Sequence, residues 1–502
     1  MRESLSFIYK EQKELSTLCG ISALLGWDQM TYMPAMGAQA RSEQSAIISK
    51  LVHEKIISDE FWKHLENLSK PINFNTLANK DKIVVNRLKK DVEKARKVPT
   101  DFVERASKVT TLAYPAWQEA REKSNFLIFS THLKKIIDLE KEYCEYINLP
   151  GPKYNSLLDD YEEGMTVEKL NREFCYLESQ LVDILEKIKS SEIYKKQKSI
   201  DKKFNAEDQK KLCDVVFNKL LLTKDKVRLD VSTHPFTTSI GYDDVRITTN
   251  FERENPLFSF FSTVHEAGHA LYELGMPRDE FKDTVISDSP SLGLQESQSR
   301  FWENMIARNK YFWKFFYPIF IKTSSNKFID SDIHSWYRYV NQVKPSPIRV
   351  EADELTYCLH IILRFELENK LIDDKININE LPEVWNEKIK EMLDITPKND
   401  AEGVLQDMHW SGGSFGYFPT YSIGTIYASQ LFKKLIEENE NVFYEIEKAD
   451  FSYILSWLRQ HVHNFGRIMT ADEIIKKVCG EGLNSKVFVN YIKNKYFELY
   501  EV

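Results

Sequence analysis

Glycine and proline are scarce in this chain of 502 residues, at 17 and 16, so helix breaks are few and a mainly α fold is expected. Cysteine is scarcer still. Cys19, Cys144, Cys175, Cys213, Cys358 and Cys479 are scattered with no C-x-x-C pair, which speaks against both a disulfide framework and a thiolate zinc site. They read as buried free thiols. No apolar run approaches bilayer-spanning length, and the opening MRESLSFIYKEQKELS carries charges where a secretory signal needs an apolar stretch. A cytoplasmic protein is expected. Basic excess is missing too: a net charge of -8 gives no electrostatic reason to approach nucleic acid or an anionic membrane. The lysine runs at 89–97 and 195–203 alternate with acids and apolar residues, as solvated helix faces do.

What is present suits a large core: 42% of residues are hydrophobic and 13% aromatic. Segments 169–189 and 351–371 repeat apolar residues at three and four, the helical spacing. The chain is read as a single catalytic unit over 1–502, with Leu149-Pro150-Gly151-Pro152 dividing an N-terminal helical part, 1–150, from the remainder, 151–502.

Two segments depart from the helical pattern. Residues 231–250 are rich in Thr, Val and Ile with Gly241 in a turn position, which predicts a small sheet. Alternation would place Asp244, Arg246 and Thr248 on one polar face and Val245 and Ile247 on the other. Residues 403–424 hold five glycines with Trp410, Phe415, Tyr417, Phe418 and Tyr421, a loop in which backbone and rings approach something closely.

The sharpest signal is His265-Glu266-Ala267-Gly268-His269, an H-E-x-x-H expected by chance on the order of 0.02 times in a chain of this composition. Leu257, Phe261, Val264, Gly268 and Leu271 form an apolar helical stripe, and the two histidines, four apart, share its edge. Both imidazoles then reach one zinc ion, with cobalt as its substitute. Glu266, one residue round from the first ligand, is placed to act as general base on water. Ala267 and Gly268 leave room for a second element to pack closely. The third ligand is open by spacing among Glu273, Glu296 and Glu303; Glu296, about 25 residues downstream, is preferred.

With these residues in hand the chain resembles the zinc carboxypeptidases named after carboxypeptidase Taq. The resemblance rests on Leu25-Gly26-Trp27-Asp28-Gln29-Met30-Thr31-Tyr32-Met33-Pro34, Leu157-Leu158-Asp159-Asp160-Tyr161-Glu162, His234-Pro235-Phe236, Asp244-Val245-Arg246-Ile247-Thr248 and the H-E-x-x-H. It continues in Glu296-Ser297-Gln298, Ile348-Arg349-Val350-Glu351-Ala352-Asp353 and Gly403-Val404-Leu405-Gln406-Asp407-Met408-His409-Trp410. It implies a helical fold with a deep central cleft covered by the N-terminal part, and a homodimer. It also implies removal of single residues from free peptide C-termini, broad preference with poor release of proline, and Glu296 as third zinc ligand. One departure is visible: Gln295 stands where the family usually has histidine, a position from which metal affinity or specificity can be tuned.

A free carboxylate is best recognised by a buried arginine fork. Arg349, behind the rigid Pro345-Ser346-Pro347 and matching the family's arginine, is the first choice; the competing reading pairs it with Glu351 or Asp353. Arg246 is second, against an ion pair with Asp244. His234 is expected beside the sheet, and Asp407 among the substrate groups. His409 and Tyr421 are candidate donors to an oxyanion, against packing roles. His360, His461 and His463 sit in helical patterns and read as structural. Two rival functions remain: an oligopeptidase cutting internally, and a silent helical binding protein.

Overall fold

The computed structural model of the chain describes every residue except 198–202, 256 and 325–331; part of the second lysine run therefore lies outside the described residues. Helices dominate. The first, Arg2–Thr31, runs 30 residues and packs with Ala38–Ile57 and Asp59–Ser69, both of which also meet Asn79–Lys97. Their inner faces, with Ile8, Phe61, Leu65, Val84 and Leu88, make a small core that also takes Phe281 and Ile286 from later in the chain. A much larger core runs from Ala113 to Tyr500. Among the described residues no helix is long and apolar enough to cross a membrane.

The 149–152 segment breaks the chain as its prolines require: Leu127–Ile147 ends before it and Tyr154–Tyr161 starts after it. The helical stretch read at 351–371 starts later. Asp353 accepts from the backbone N–H groups of Leu355 and Thr356, which turns the chain before the helix Tyr357–Ile372. The thiols also differ from expectation: Cys144, Cys213 and Cys358 are buried, whereas Cys19 and Cys175 are exposed.

The sheet has three strands, β1 (Val227–Val231), β2 (Thr237–Gly241) and β3 (Asp244–Thr249), in the order β1-β3-β2. β3 is central, parallel to β1 with Val227 opposite Val245, and antiparallel to β2 with Thr237 opposite Ile247. Val245 and Ile247 face the core, fully buried. The predicted polar face is shorter than alternation suggests. Thr248 is also fully buried, because its hydroxyl is used by Ser232 and by the N–H of Phe236.

Three glycines set the spacing around the site. A Cβ on Gly20 of the first helix would lie 2.4 Å from the carbonyl oxygen of Ile240, so that helix rests directly on β2. One on Gly268 would lie 2.7 Å from Ser299 Cα, and one on Gly424 2.7 Å from Glu296 Cβ. The helices Phe258–Glu273, Leu292–Arg300 and Pro419–Glu438 therefore pack with almost no side chain between them, the first of them also against the sheet.

Candidate active site

Phe258–Glu273 is apolar on the sides that meet the sheet and the core, with Phe260, Val264, Ala267 and Leu271 buried. His265 and His269 emerge at the edge, their rings 5.0 Å apart between centroids. Leu292–Arg300 is started by Ser291, whose hydroxyl accepts from the N–H of Leu294, and it crosses at Gly268 so that Glu296 faces both histidines. Each Nε2, of His265 and of His269, lies 3.6 Å from Oε2 of Glu296. The three donors form the one group of possible metal-ligating side chains found among the described residues. A tetrahedral ion with bonds of about 2.1 Å needs its donors about 3.4 Å apart. Two neutral-capable nitrogens and one carboxylate at this spacing fit such an ion.

The two other acids weighed as third ligand are engaged elsewhere. Glu273 accepts a 2.8 Å hydrogen bond from Gln295 Nε2, and burial pushes its carboxyl up to about 7. Gln295, the departure from the family pattern, thus braces the two ligand-bearing helices. Glu303 sits behind His265, its Oε2 2.9 Å from Nδ1. It is carried there by the π-helical turn Phe301–Ala307, a widening that often accompanies functional sites. Burial alone would raise the Glu296 carboxyl, but Arg300 and the two histidines outweigh it and hold it well below the usual range. Arg300 Nε donates to Glu296 at 2.7 Å.

Glu266 is 6% exposed. Thr237 of β2 donates 2.6 Å to its Oε2, so the sheet fixes this carboxylate beside the metal donors. Sequence reading gave Glu266 no such partner, since 29 residues separate them.

Arg349 lies in the turn Arg349–Glu351, 7% exposed. Its partner is neither Glu351 nor Asp353 but Asp407, whose Oδ1 accepts from Nη2 at 2.8 Å and Nε at 3.1 Å. The other oxygen of Asp407 accepts from Arg364, at 2.8 Å from Nε, so both oxygens of Asp407 are occupied by arginines. Arg364 escaped the sequence reading altogether. Arg349 Nη1 donates 3.2 Å to Tyr357, and the Tyr357 ring lies 4.2 Å under the Arg300 guanidinium. The sequence Glu296, Arg300, Tyr357, Arg349 is thus one chain of contacts joining the metal donors to the arginine.

The glycine-rich segment closes this region. Glu368, fully buried, accepts from Trp410 Nε1 at 2.7 Å and from the N–H of Gly416 at 2.9 Å, which pins the loop carrying His409. His409 packs on Phe418 at 4.6 Å, its Nε2 3.5 Å from the Tyr421 hydroxyl. Its Nδ1 is buried without a hydrogen bond, 4.0 Å from Oδ1 of Asp407, and burial depresses its pKa to about 4. The Arg349 guanidinium lies 5.1 Å from the Tyr421 ring.

The sheet-side candidates are less central. Arg246 is held by Asp244, Nη2 to Oδ2 at 2.8 Å, and lies 4.5 Å over Trp27. His234 is exposed in the loop between β1 and β2. His463 faces Gln298, Nε2 to Oε1 at 3.0 Å, His461 stacks on Trp457, and His360 is fully buried.

Two imidazoles and a carboxylate converging on one point, with a glutamate beside the first imidazole, on a helical scaffold, are the arrangement of a metallopeptidase. Comparison with known proteins narrows the class. Residues 7–496 match the model of the carboxypeptidase Taq (M32) metallopeptidase family. Carboxypeptidase 1 of Bacillus subtilis (strain 168) is 36% identical over 97% of both chains. Thermostable carboxypeptidase 1 of Pyrococcus furiosus is 37% identical over 98% of both. The crystal structure of the M32 carboxypeptidase from Deinococcus radiodurans R1 superposes over 100% of both chains with a TM-score of 0.95 at 32% identity. The chain belongs to the carboxypeptidase Taq (M32) family and is a metallocarboxypeptidase acting on peptides.

Proposed function

We propose that the enzyme is a zinc carboxypeptidase that releases single amino acids from free peptide C-termini, with Glu266 as general base. The observation that carries this reading is the buried group Arg349, Arg364 and Asp407: two cations and one anion in direct contact. Such a group is short of one negative charge, which a terminal carboxylate supplies. Arg349 keeps one N–H on each terminal nitrogen beyond those given to Asp407 and Tyr357, enough for a two-pronged grip.

His265, His269 and Glu296 would hold the ion, and their nitrogen and oxygen donors suit zinc, with cobalt as a substitute. When bound, zinc supplies Lewis-acid polarisation and makes water more acidic. Glu266, oriented by Thr237, takes the proton of the attacking water and passes it to the leaving amine. Tyr421 and the neutral His409 donate to the developing oxyanion. Arg349 sets the register by binding the terminal carboxylate, and Asp407 acts on substrate only through Arg349. Arg246 and His234 belong to the sheet-side wall, where upstream residues of the peptide pass. Poor release of proline and a homodimer follow from the family resemblance. A cytoplasmic location is supported by six free thiols.

The test is release from a peptide with a free C-terminus and from its amide, with zinc, after chelation, and as Glu266→Gln. Single-residue release from the free acid alone, abolished by chelation and by the substitution, is expected. Equal cleavage of the amide would instead mark an oligopeptidase, and no cleavage by the zinc-loaded protein a binding protein.

A further inference from the structure

We infer that Arg364 is a positioning residue for substrate: by occupying one oxygen of Asp407, it leaves Arg349 with uncompensated positive charge for the carboxylate of the incoming peptide. The inference rests on Arg349 being the carboxylate site.

Arg364 sits at 0% exposure in the helix Tyr357–Ile372, among residues that are nearly all apolar. A guanidinium costs much to desolvate and is kept in such a place only when paired. Its Nη1 donates to the carbonyl of His360 at 2.6 Å, while Nε and Nη2 go to Oδ2 of Asp407. Arg349 uses only Oδ1. Without Arg364, Asp407 and Arg349 would be a neutral pair with little attraction for an anion. With it, the triad carries a net positive charge, and of the two arginines Arg349 is the one nearer to solvent, at 7% exposure against 0% for Arg364.

The other titratable groups packed here leave this balance in place. Burial lowers His360 to about 3 and His409 to about 4, with the arginines adding to it, so both imidazoles are neutral at physiological pH. Glu368, one turn beyond Arg364, gives its oxygens to Tyr154, Trp410 and Gly416 rather than to either guanidinium. Tyr357 and Tyr421 remain protonated, burial raising both.

The experiment compares Arg364→Met, Arg364→Lys and the double variant Arg364→Met/Asp407→Asn in the zinc-loaded full chain, on an N-blocked tripeptide and its C-terminal amide. Arg364→Met is expected to raise KM for the free acid about tenfold with kcat within about threefold, the amide being cleaved by neither protein. Arg364→Lys should restore most of the loss. The single variant keeps Arg349 and Asp407 as a neutral pair, and in the double variant Arg349 keeps the amide oxygen as acceptor; thermal unfolding of each shows that the KM values belong to folded protein. By returning the surplus charge to Arg349 the double variant should bring KM to within about threefold of the parent. A double variant as poor as the single, or a fall in kcat with KM unchanged, would make Arg364 a packing residue and overturn the inference. A parent enzyme that cleaves acid and amide alike would instead remove the carboxylate reading itself, whatever the variants do.

Discussion

The carboxylate of Glu303 lies 2.9 Å from Nδ1 of His265, across the ring from the Nε2 that faces Glu296. An imidazole donating at Nδ1 is fixed in one tautomer, with its Nε2 lone pair free for an ion. Burial would raise the Glu303 carboxyl, but His265, Arg300 and Arg308 outweigh that and keep it ionised. Glu303 thus orients a donor of the site without joining the donors.

Replacing Glu303 by Gln should weaken apparent zinc affinity about tenfold while activity at saturating zinc largely returns. Activity measured against a graded series of zinc buffers checks it. An unchanged zinc midpoint would reduce Glu303 to a partner of Arg308.

Gly268→Ala should cost about 1–3 kcal/mol of stability by overpacking, because its Cβ would meet backbone of Gln298 and Ser299 at 2.7 Å. Backbone cannot rotate away as a side chain can, so the helix bearing Glu296 must move from the two histidines. Denaturant unfolding together with metal content tests both parts; lost stability with full zinc binding would mean that the helices separate without disturbing the donors.

What was legible in the sequence was what is local. His265 and His269 meet because they are one helical turn apart, and the glycine inside their motif advertised a close neighbour. Glu273, Glu296 and Glu303 could not be ranked by spacing alone. Their assignment depends on how Leu292–Arg300 crosses the first helix and on a π turn that shifts Glu303 behind a ring. The sheet was visible at 231–250, but its first strand, Val-Arg-Leu-Asp-Val at 227–231, mixes charges with apolar residues and pairs in parallel with β3, which no turn signal announces. Arg364 reads as one more polar residue in an amphipathic repeat; only the fold brings it to Asp407, 43 residues on.

Thr237→Val should lower kcat about tenfold with KM nearly unchanged. The 2.6 Å hydrogen bond from Thr237 to Glu266 fixes the carboxylate that moves the proton, and valine keeps the shape without the donor. Thr237→Ser, which keeps the hydroxyl, should recover most of the rate. Steady-state kinetics of the three proteins decide it, and a serine variant as slow as the valine one would assign the loss to packing of β2.

Glu368 makes the folded state sensitive to pH in a calculable direction. Burial raises its carboxyl from the ordinary value of 4.5 to about 7, so the folded chain holds this proton more tightly than the unfolded one. The associated stability is complete below about 4.5 and is lost as pH climbs to about 7, an effect of order 3 kcal/mol. Glu368→Gln cannot titrate and keeps an acceptor for part of the Tyr154, Trp410 and Gly416 set. Glu162 and Glu273, also raised by burial, are common to both proteins and cancel in the comparison, and Glu140 is raised first by burial, with the Glu368 charge the last of its causes. Urea unfolding at pH 5 and pH 8 should therefore show the parent losing of order 3 kcal/mol more than the variant over that interval. If the two lose stability in parallel, Glu368 is ionised throughout and its three donors, not its proton, hold the glycine-rich loop in place.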